Sequence, residues 1–425
     1  MRSHMRRVAI VGGSRVPFAR SFGPYMGVNI QTMMAAAVEG VAKKYNLSGM
    51  TIGELAVGAV LKHSRDWNFA REVLLSTSLA PQTPAFDVVQ ACGTSLEASI
   101  LIANKIAVGQ MECGIAGGVD TNSDIPFVFP TRFNHLMLEL AKAKSFGQRL
   151  GILSRFRPKD LKPQSPMVVE PRTGLSMGQS CELMAKEWKL TRTEQDELAL
   201  ASHKNAVKAY EEGFYSDLVV PFHGLEKDQV PRADSSLEKL AKLRPAFDTS
   251  GQGTLTAGNS SALTDGAAAV LLASEDWAKS RGLPILAYLK DAQTSAVDFV
   301  KAEGLLMAPT YAVSQLLERN KMKLQDFDVY EIHEAFAAQV LCTLKAWESP
   351  EFNKKRLGRN DPLGAIDRSK MNLKGGSIAI GHPFAATGAR IVASLAKMLQ
   401  QRGSGRGLIS ICTGGGMGVT AILER

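Results

Sequence analysis

One pattern of alternating elements occurs twice in the 425-residue chain, and it constrains the fold more than any other feature. Each copy runs from a short apolar strand through a polar turn into a helix, and then into a second strand that ends in glycines. The first copy comprises residues 88–91, 92–95, 96–108, 113–116 and 117–118. The second comprises residues 377–380, 381–383, 385–401, 408–411 and 414–416. Alternation of this kind predicts an α/β fold, and its repetition predicts two similar halves.

The two predicted halves enclose a segment of different composition. Residues 5–124 form the first half, which residues from about 248 to 280 complete, and residues 281–425 form the second half. Residues 125–247 are richer in Lys, Arg, Glu and Pro, and they predict helices at 134–150, 181–188 and 194–212. Thr191 and Glu194 have the spacing of a capping box, which opens the last of these helices. We therefore interpret residues 125–247 as an inserted loop domain. Within the halves, the pattern also predicts a strand at 8–11, a helix at 30–44 and a strand at 329–332.

Composition restricts the class of protein. A chain with 45% hydrophobic and 21% charged residues is typical of a globular protein, and no uncharged apolar run is long enough for a membrane helix. The net charge of +9 favours an anionic partner, but no basic tail or zinc-finger spacing appears, so nucleic acid is not expected. Five widely spaced cysteines argue against a disulfide framework and for a reducing compartment. Residues 1–4 resemble a cloning remnant ahead of Met5, and the apolar run at 8–11 is too short for a secretory signal, so a cytoplasmic protein is expected.

Cys92 and His382 occupy matching places in the two copies of the pattern. Cys92 stands where a strand meets a helix, and the positive end of the helix dipole is expected to lower the pKa of its thiol and favour the nucleophilic thiolate. His382 stands in the turn before the second helix, and histidine exchanges protons near neutral pH. The alternative for each residue is a buried structural role. Their matching positions predict a facing Cys–His pair.

Two further motifs contain candidate catalytic groups. Cys412 is followed by Gly414 and two more glycines, which leave backbone N–H groups free to face an oxyanion, although a tight turn with an incidental cysteine is the alternative. His333 follows the predicted strand at 329–332 and is placed to donate a hydrogen bond, directly or through water. Position 337 is Ala, so the segment is not an HExxH zinc motif, and no other His or Cys spacing suggests a metal.

Together, Cys92, His333, His382 and Cys412 in their local settings resemble the thiolase family, over essentially the whole chain from Met5. The stretches that carry the resemblance are VQACGTS at 89–95, MGQSCE at 177–182, AGNSS at 257–261, HEAF at 333–336, GHP at 381–383 and CTGGG at 412–416. Many thiolases have Asn in place of His333. The His form, together with NSSALTDG at 259–266, resembles the β-subunit of fatty-acid-oxidation trifunctional complexes and the bacterial long-chain 3-ketoacyl-CoA thiolases.

The resemblance implies a five-layer αβαβα arrangement of two similar halves with an inserted loop domain. It also implies cleavage of a 3-ketoacyl-CoA by CoA in fatty acid β-oxidation, with Cys92 as the nucleophile that carries the acyl group and His382 as its base. Cys412 would protonate the leaving acetyl-CoA carbanion. The thioester oxygen of the enolate would sit near His382 and a donor held by His333, and the tetrahedral oxyanion would face the backbone N–H groups of Cys92 and Gly414.

Binding groups and partners are also implied by the resemblance. Ser261 would hydrogen-bond the pantetheine arm of CoA, and Met177 would lie on the CoA side of the site, next to Ser176, where short-chain acetoacetyl-CoA thiolases typically have His. Coenzyme A is a substrate, and no metal or redox cofactor is required. A homodimer or homotetramer is expected. The cations for the CoA phosphates are expected in the loop domain, in stretches such as those of Arg192, Lys208 and Arg244, where solvated surface charge is the alternative for each.

Residues 125–162 contain eight Lys or Arg interleaved with Phe, Leu and Met. A basic amphipathic helix of this kind can lie on an anionic membrane or on a partner such as a hydratase/dehydrogenase α-subunit, and a covering helix with a solvated basic face is the alternative.

Other functions remain open at this point. A biosynthetic acetoacetyl-CoA thiolase would share the catalytic set and differ in its acyl pocket. A decarboxylating ketoacyl synthase would lack the second catalytic cysteine, which Cys412 argues against. A silent scaffold subunit would not need Cys92, His382 and Cys412 to be intact.

Overall fold

The computed structural model describes residues 5–166 and 169–425, so the prediction for residues 1–4 lies outside the described residues. The strands are β1 (Val8–Arg15), β2 (Ala19–Arg20), β3 (Glu54–Gly58), β4 (Ala85–Asp87), β5 (Cys113–Asp120), β6 (Thr264–Ser274), β7 (Ala287–Ala296), β8 (Val329–Ile332), β9 (Arg406–Thr413) and β10 (Met417–Glu424). The helices are α1 (Ile30–Lys44), α2 (Phe69–Leu75), α3 (Thr94–Ala107), α4 (Thr131–Lys142), α5 (Phe146–Leu153), α6 (Met177–Glu187), α7 (Arg192–Glu211), α8 (Leu237–Ala241), α9 (Glu275–Ser280), α10 (Ala308–Asn320), α11 (Ala337–Glu348), α12 (Pro350–Arg356), α13 (Ser377–Ile380) and α14 (Thr387–Arg402).

The strand pairing confirms two similar halves. In the first half, β1 pairs antiparallel with β6, β6 antiparallel with β5, β5 parallel with β3, and β3 parallel with β4. In the second half, β7 pairs antiparallel with β10, β10 antiparallel with β9, and β9 parallel with β8. A single parallel bridge between Tyr330 and Met371 takes the place of β4. The halves are joined where the first residues of β1 also pair with β7.

Helices cover and separate the two sets of strands in five layers, which confirms the αβαβα arrangement. Helices α1 and α2 pack on the outer face of the first set, and α10 packs on the outer face of the second, with α11 against it. Helices α3 and α14 lie between the two sets and contact each other. Every position of β5 and β6 is buried, as expected for strands covered on both faces. The repeated turn-and-helix units therefore meet at the centre of the molecule.

Several sequence predictions agree closely with the structure. The helix predicted at 30–44 and the strand predicted at 329–332 have those same bounds. The capping box before α7 is present: the Thr191 hydroxyl accepts from the Glu194 N–H at 3.2 Å, and the Glu194 carboxylate accepts from the Thr191 N–H at 2.7 Å. Helices α4 to α8 all come after β5 and before β6 in the sequence, which is where the insertion was predicted. The domain boundaries at 125 and 247 stay predictions. Within the described residues, no helix is long and apolar enough to span a membrane.

Three local predictions are wrong. Residues 377–380 form helix α13 and not a strand, because a run of only four residues has no periodicity that separates helix from strand. The strand before Cys92 is β4, at Ala85–Asp87, because Ala91 already has the positive φ of a turn. The helix predicted at 134–150 is split into α4 and α5, since the Ser145 hydroxyl caps a new helix by accepting from the Gln148 N–H at 3.3 Å.

Candidate active site

Cys92 lies in a 3₁₀ turn, Ala91–Gly93, that leads directly into α3. Ala91 has φ of +47°, a left-handed conformation that is strained for a residue with a side chain. The Thr94 hydroxyl holds the turn, since it donates to the Ala91 carbonyl at 2.7 Å and accepts from the Gln90 N–H at 2.8 Å. A Cβ on Gly93 would lie 3.0 Å from the Thr413 side chain, so glycine lets the turn sit against the end of β9. The sequence around Cys92 thus fixes the sulfur beside β9.

His382 reaches Cys92 from the second half. Its Nε2 lies 3.1 Å from Cys92 Sγ, and its Nδ1 lies 2.6 Å from the Thr387 hydroxyl. The His382 N–H donates to the Thr264 hydroxyl at 2.8 Å, and Gly381 before it has φ of +109°. Both ring nitrogens therefore have a partner, and the imidazole is held in one orientation against the thiol.

Burial controls the protonation of this pair. Burial raises the pKa of Cys92 to about 12, against the opposing effect of the backbone N–H groups of Gly414 and Cys92, which face the sulfur. Burial, with a smaller effect from the Arg390 charge, lowers the pKa of His382 to about 3. The prediction that the helix dipole lowers the thiol pKa is therefore wrong for the resting site, because desolvation outweighs it. The resting pair is a neutral thiol beside a neutral imidazole.

Cys412 lies near the end of β9 and is 1% exposed. Burial raises the pKa of its thiol well above the usual range, and the nearby Cys92 acts in the same direction. The chain turns after it through Gly415 and Gly416, which have φ of +77° and +69°. A Cβ on Gly414 would make only ordinary contacts, the nearest at 3.5 Å, so the protein itself leaves room beside the Gly414 N–H. Both thiols and this backbone donor thus lie at one end of β9.

His333 follows β8 and packs beside His382, with 4.2 Å between the ring centroids and 49° between the ring planes. Its Nδ1 lies 2.8 Å from the Ser377 hydroxyl, whereas its Nε2 is buried and has no hydrogen-bond partner among the described residues. Burial, together with the His382 and Arg390 charges, lowers the pKa of His333 well below its usual value. One nitrogen of each histidine and Cys92 Sγ all lie within 4.8 Å of one another. The unpartnered Nε2 marks a position for a polar group of a ligand.

Asp120, which sequence reasoning missed, ties the two halves together beside this pair. Its carboxylate accepts from the Val60 and Leu61 N–H groups at 3.0 and 2.7 Å and from the Ala385 N–H at 2.8 Å. Gly118, in the same strand, has no room for a Cβ because the Ala385 carbonyl packs against it. The turn that follows His382 is therefore anchored to β5. No local signal in the sequence marks Asp120 for this role, because its partners come from two segments that are far from it in the sequence.

Met177 opens α6 and places its sulfur near Gly414, 3.9 Å from where a Cβ of that glycine would lie. Ser176 caps the helix: its hydroxyl accepts from the Gln179 N–H at 3.2 Å, and the Gln179 side chain accepts from the Ser176 N–H at 2.9 Å. Glu170, which was not predicted, accepts from the Gly415 N–H at 2.7 Å. The insertion therefore covers the glycine turn after Cys412.

Ser261 lines a cavity of about 480 Å³ between the insertion and the first half. Its N–H donates to the Ala335 carbonyl at 2.9 Å, and the neighbouring Ser260 hydroxyl is buried without a partner. The cavity extends to Ile378, the residue after Ser377. A ligand in the cavity would thus end close to the group that contacts His333.

The cations of this cavity differ from those expected. Arg20, Arg232 and Lys239 line it. Burial and the Arg232 charge lower the pKa of Arg20, and among the described residues neither arginine has an ion-pair partner. In contrast, Arg192 is bound to Asp196 at 2.8 Å, Lys208 lies 3.7 Å from Glu212, and Arg244 does not line the cavity. Two unpaired guanidinium groups at the mouth of a cavity favour an anionic ligand.

Known proteins share this architecture and sequence. The family model of the thiolase N-terminal domain matches residues 8–276, and that of the thiolase C-terminal domain matches residues 283–425. A protein of Shewanella sp. (strain W3-18-1) named 3-ketoacyl-CoA thiolase is 42% identical over 424 residues, covering 98% of this chain and 97% of the relative. A protein of Pectobacterium carotovorum (strain PC1) with the same name is 43% identical, covering 98% and 96%.

A solved structure agrees with the sequence relatives. The crystal structure of the Bacillus anthracis acetyl-CoA acetyltransferase superposes with a TM-score of 0.82 at 30% identity, and the match covers 99% of this chain and all of that one. Both family models and these full-length relatives point the same way: the chain belongs to the thiolase family.

Proposed function

We propose that this chain is an acetyl-CoA C-acyltransferase that cleaves a 3-ketoacyl-CoA with CoA into acetyl-CoA and a shortened acyl-CoA, in fatty acid β-oxidation. The observation that carries the proposal is the 3.1 Å contact between Cys92 Sγ and His382 Nε2 at the end of the strand that holds Cys412. Relatives of 42–43% identity that are named 3-ketoacyl-CoA thiolase support this activity over a biosynthetic acetoacetyl-CoA thiolase.

The first step is proton transfer within the neutral pair. His382 takes the Cys92 proton as the sulfur attacks the 3-keto carbon, so the thiolate forms only when it is consumed. The tetrahedral oxyanion that results faces the backbone N–H groups of Cys92 and Gly414. Such donors commonly contribute about 10²–10³ in rate each. The N–H groups that face the sulfur in the resting site support this assignment.

The second step breaks the C2–C3 bond. The tetrahedral intermediate collapses to an acyl group on Cys92, and the electron pair of the broken bond passes to C2 and its thioester as an enolate. His333 and His382 hold the enolate oxygen, and Cys412 donates its proton to C2, which releases acetyl-CoA. The buried, unpartnered Nε2 of His333 supports its role as a donor.

The third step returns the enzyme to its resting state. A second CoA enters, the Cys412 thiolate takes its thiol proton, and the CoA sulfur attacks the acyl group on Cys92. The Cys92 sulfur leaves and regains its proton from His382. The two thiols and the His382 imidazole supply every proton transfer, so we propose that coenzyme A acts as a substrate and that no metal or redox cofactor takes part.

The cavity of about 480 Å³ is proposed as the CoA channel. Ser261 lines it and would bind the pantetheine arm, while Met177 borders the reacting end beside Gly414. Arg20 and Arg232 are proposed to meet the phosphates, since neither forms an ion pair among the described residues.

The helical pair α4–α5 is proposed to contact an anionic membrane surface. Phe127, Leu138 and Phe146 are 65%, 62% and 82% exposed, and the same segment carries the basic residues Lys142 and Arg149. Apolar side chains next to unpaired basic ones fit a layer of anionic lipid headgroups. Charge reversal at Lys142, Lys144 and Arg149 is expected to abolish sedimentation with anionic vesicles, and the same change at Lys354, Lys355 and Arg356 of α12 is the control. Loss of binding to a hydratase/dehydrogenase α-subunit, with vesicle binding retained, would assign the surface to that partner.

Assembly and location complete the proposal. Within the described residues, strand β4 is the last strand of its sheet and its outer edge is unpaired, and Val89 beside it and Trp67 are 57% and 79% exposed. Unpaired edges with exposed apolar groups favour association, so we propose a homodimer, or a homotetramer built from such dimers. All five cysteines are free thiols, which supports a reducing compartment such as the cytoplasm.

Thiolysis of 3-ketoacyl-CoA substrates of four and sixteen carbons tests the proposed function. Cleavage of the C16 substrate to acetyl-CoA and a C14 acyl-CoA is expected, with Cys92→Ser as the inactive control. Activity restricted to the C4 substrate would instead support the biosynthetic acetoacetyl-CoA thiolase. No thiolysis of either substrate would overturn both.

A further inference from the structure

A chain of buried polar groups lies behind His333, outside the groups that the proposed mechanism uses. Arg390 Nη2 lies 3.1 Å from the Ser377 hydroxyl, and that hydroxyl lies 2.8 Å from His333 Nδ1. Arg390, Ser377 and His333 are 2%, 0% and 1% exposed. The three residues come from α14, α13 and the turn after β8, so the chain links separate elements.

The donors in this chain have only one consistent arrangement. Guanidinium groups only donate, so the Ser377 oxygen accepts from Arg390. Within the described residues, the remaining partner of the Ser377 hydroxyl is His333 Nδ1, which must therefore accept its proton. In the opposite arrangement His333 Nδ1 would donate, and the buried Ser377 proton would have no acceptor. Leaving it unpaired would cost about 1–3 kcal/mol.

A neutral imidazole carries one proton, so acceptance at Nδ1 places that proton on Nε2. His333 Nε2 is the buried nitrogen that has no partner in the site. A hydrogen bond at the second ring nitrogen commonly fixes the tautomer of a functional histidine. The group next to the thiols is then a fixed N–H donor.

We propose that Ser377, oriented by Arg390, is a positioning residue that holds His333 in the Nε2–H tautomer, so that this N–H binds the enolate oxygen of acetyl-CoA. The inference rests on the proposed role of His333. It predicts that the Ser377 hydroxyl supports enolate formation and not acyl transfer from a saturated acyl-CoA thioester to Cys92, because that transfer breaks no C–C bond and its tetrahedral oxyanion uses the backbone N–H groups.

Ser377→Ala is the test variant, and Ser410→Ala is its matched control. Ser410 is also buried and next to His333, because the backbone N–H of His333 donates to the Ser410 carbonyl at 2.9 Å. The Ser410 hydroxyl, however, makes no hydrogen bond among the described residues. Exchange of the C2 protons of acetyl-CoA in D2O reports enolate formation, and mass spectrometry of the Cys92 peptide after incubation with a saturated acyl-CoA reports acylation, a step that forms no enolate. Ser377→Ala is expected to lower the exchange rate by roughly 10- to 100-fold with acylation retained, as for other supporting groups behind a functional histidine. Ser410→Ala is expected to leave both unchanged.

A spectroscopic measurement on the unmodified enzyme stands independently of how the variants fold. In protein labelled with 15N-histidine, His333 is assigned by its loss in His333→Asn, and its two nitrogens are expected to show a protonated Nε2 and an unprotonated Nδ1. A protonated Nδ1 would overturn the inference. Equal exchange rates in Ser377→Ala and Ser410→Ala would also overturn it. Unaltered exchange in His333→Ala, which removes the donor, would overturn the role of His333 and this inference with it, while thiolysis by the unmodified enzyme would leave the proposed function standing.

Discussion

His382 Nε2 lies 3.1 Å from Cys92 Sγ, although 290 positions separate the two residues in the chain. The contact exists because each residue stands in the turn before one of the two central helices, and those helices pack on each other between the sheets. The repeated supersecondary unit thus generates a two-residue site that neither copy contains alone. The assignments of the other groups depend on this contact.

Cys92→Ser is expected to abolish the acyl-enzyme while the fold stays intact, because a serine hydroxyl is far harder for His382 to deprotonate than a thiol. Mass spectrometry of peptides after brief incubation with a 3-ketoacyl-CoA measures the adduct. Cys113→Ser is the control, since Cys113 is a free cysteine in β5, away from the site. An acyl group found on a peptide without Cys92 would refute the assignment.

Cys412→Ser is expected to impair protonation of the carbanion at C2. General acid–base groups typically contribute about 10²–10⁴ in rate, so exchange of the C2 protons of acetyl-CoA is expected to fall within that range. Acylation of Cys92 is expected to be retained in part, because His382 still activates that thiol. An unimpaired exchange rate in this variant would remove Cys412 from its proposed role.

The fold was predictable from the sequence wherever a repeated pattern or a capping motif was present. The unit around Cys92 and the one around His382 predicted the two halves, and Thr191 marked the start of α7. The short apolar run at 377–380 was assigned as a strand because periodicity cannot separate strand from helix over four residues. Isolated short runs are therefore where local reasoning fails.

The site was predictable as a set of residues but not as an electrostatic environment. A cysteine at the start of a helix suggests a lowered thiol pKa, yet burial raises that of Cys92 to about 12, and burial depends on contacts between distant segments. Asp120, Ser377 and Arg390 could not be predicted for the same reason, because they act through contacts between segments that are distant in the sequence. Arg20 and Arg232 could not be predicted as a pair either, because they come together only where the insertion packs on the first half.

Arg232→Ala is expected to raise the KM for CoA about tenfold with kcat little changed, because a charge-assisted hydrogen bond to a phosphate contributes roughly 1.5–3 kcal/mol. Arg244→Ala is the matched control, since Arg244 is an exposed arginine nearby that does not line the cavity. Steady-state kinetics at two salt concentrations measure both effects, and the difference between the variants is expected to shrink at high salt. Equal KM values for the two variants would argue against this cavity as the CoA channel.

His203→Gln is expected to flatten the loss of stability in acid. Burial lowers the pKa of His203 to about 4 in the folded protein, and the positive charges of Arg232 and Arg20 act in the same direction. The negative charge of Asp234 opposes this shift but is the smaller effect. The unfolded chain, with an ordinary histidine pKa of about 6.5, therefore binds more protons between these values, so stability falls as pH drops from about 6.5 towards 4. His333 and His382 are also buried with lowered pKa values and destabilise the fold in acid in the same way. The variant is therefore expected to remove only part of the dependence of the unfolding free energy on pH. Urea unfolding from pH 7 to pH 4 measures it, with His135→Gln, a change at an exposed histidine of α4, as the control. An equally steep decline in His203→Gln and in the unmodified protein would show that the imidazole is protonated in the fold at little cost.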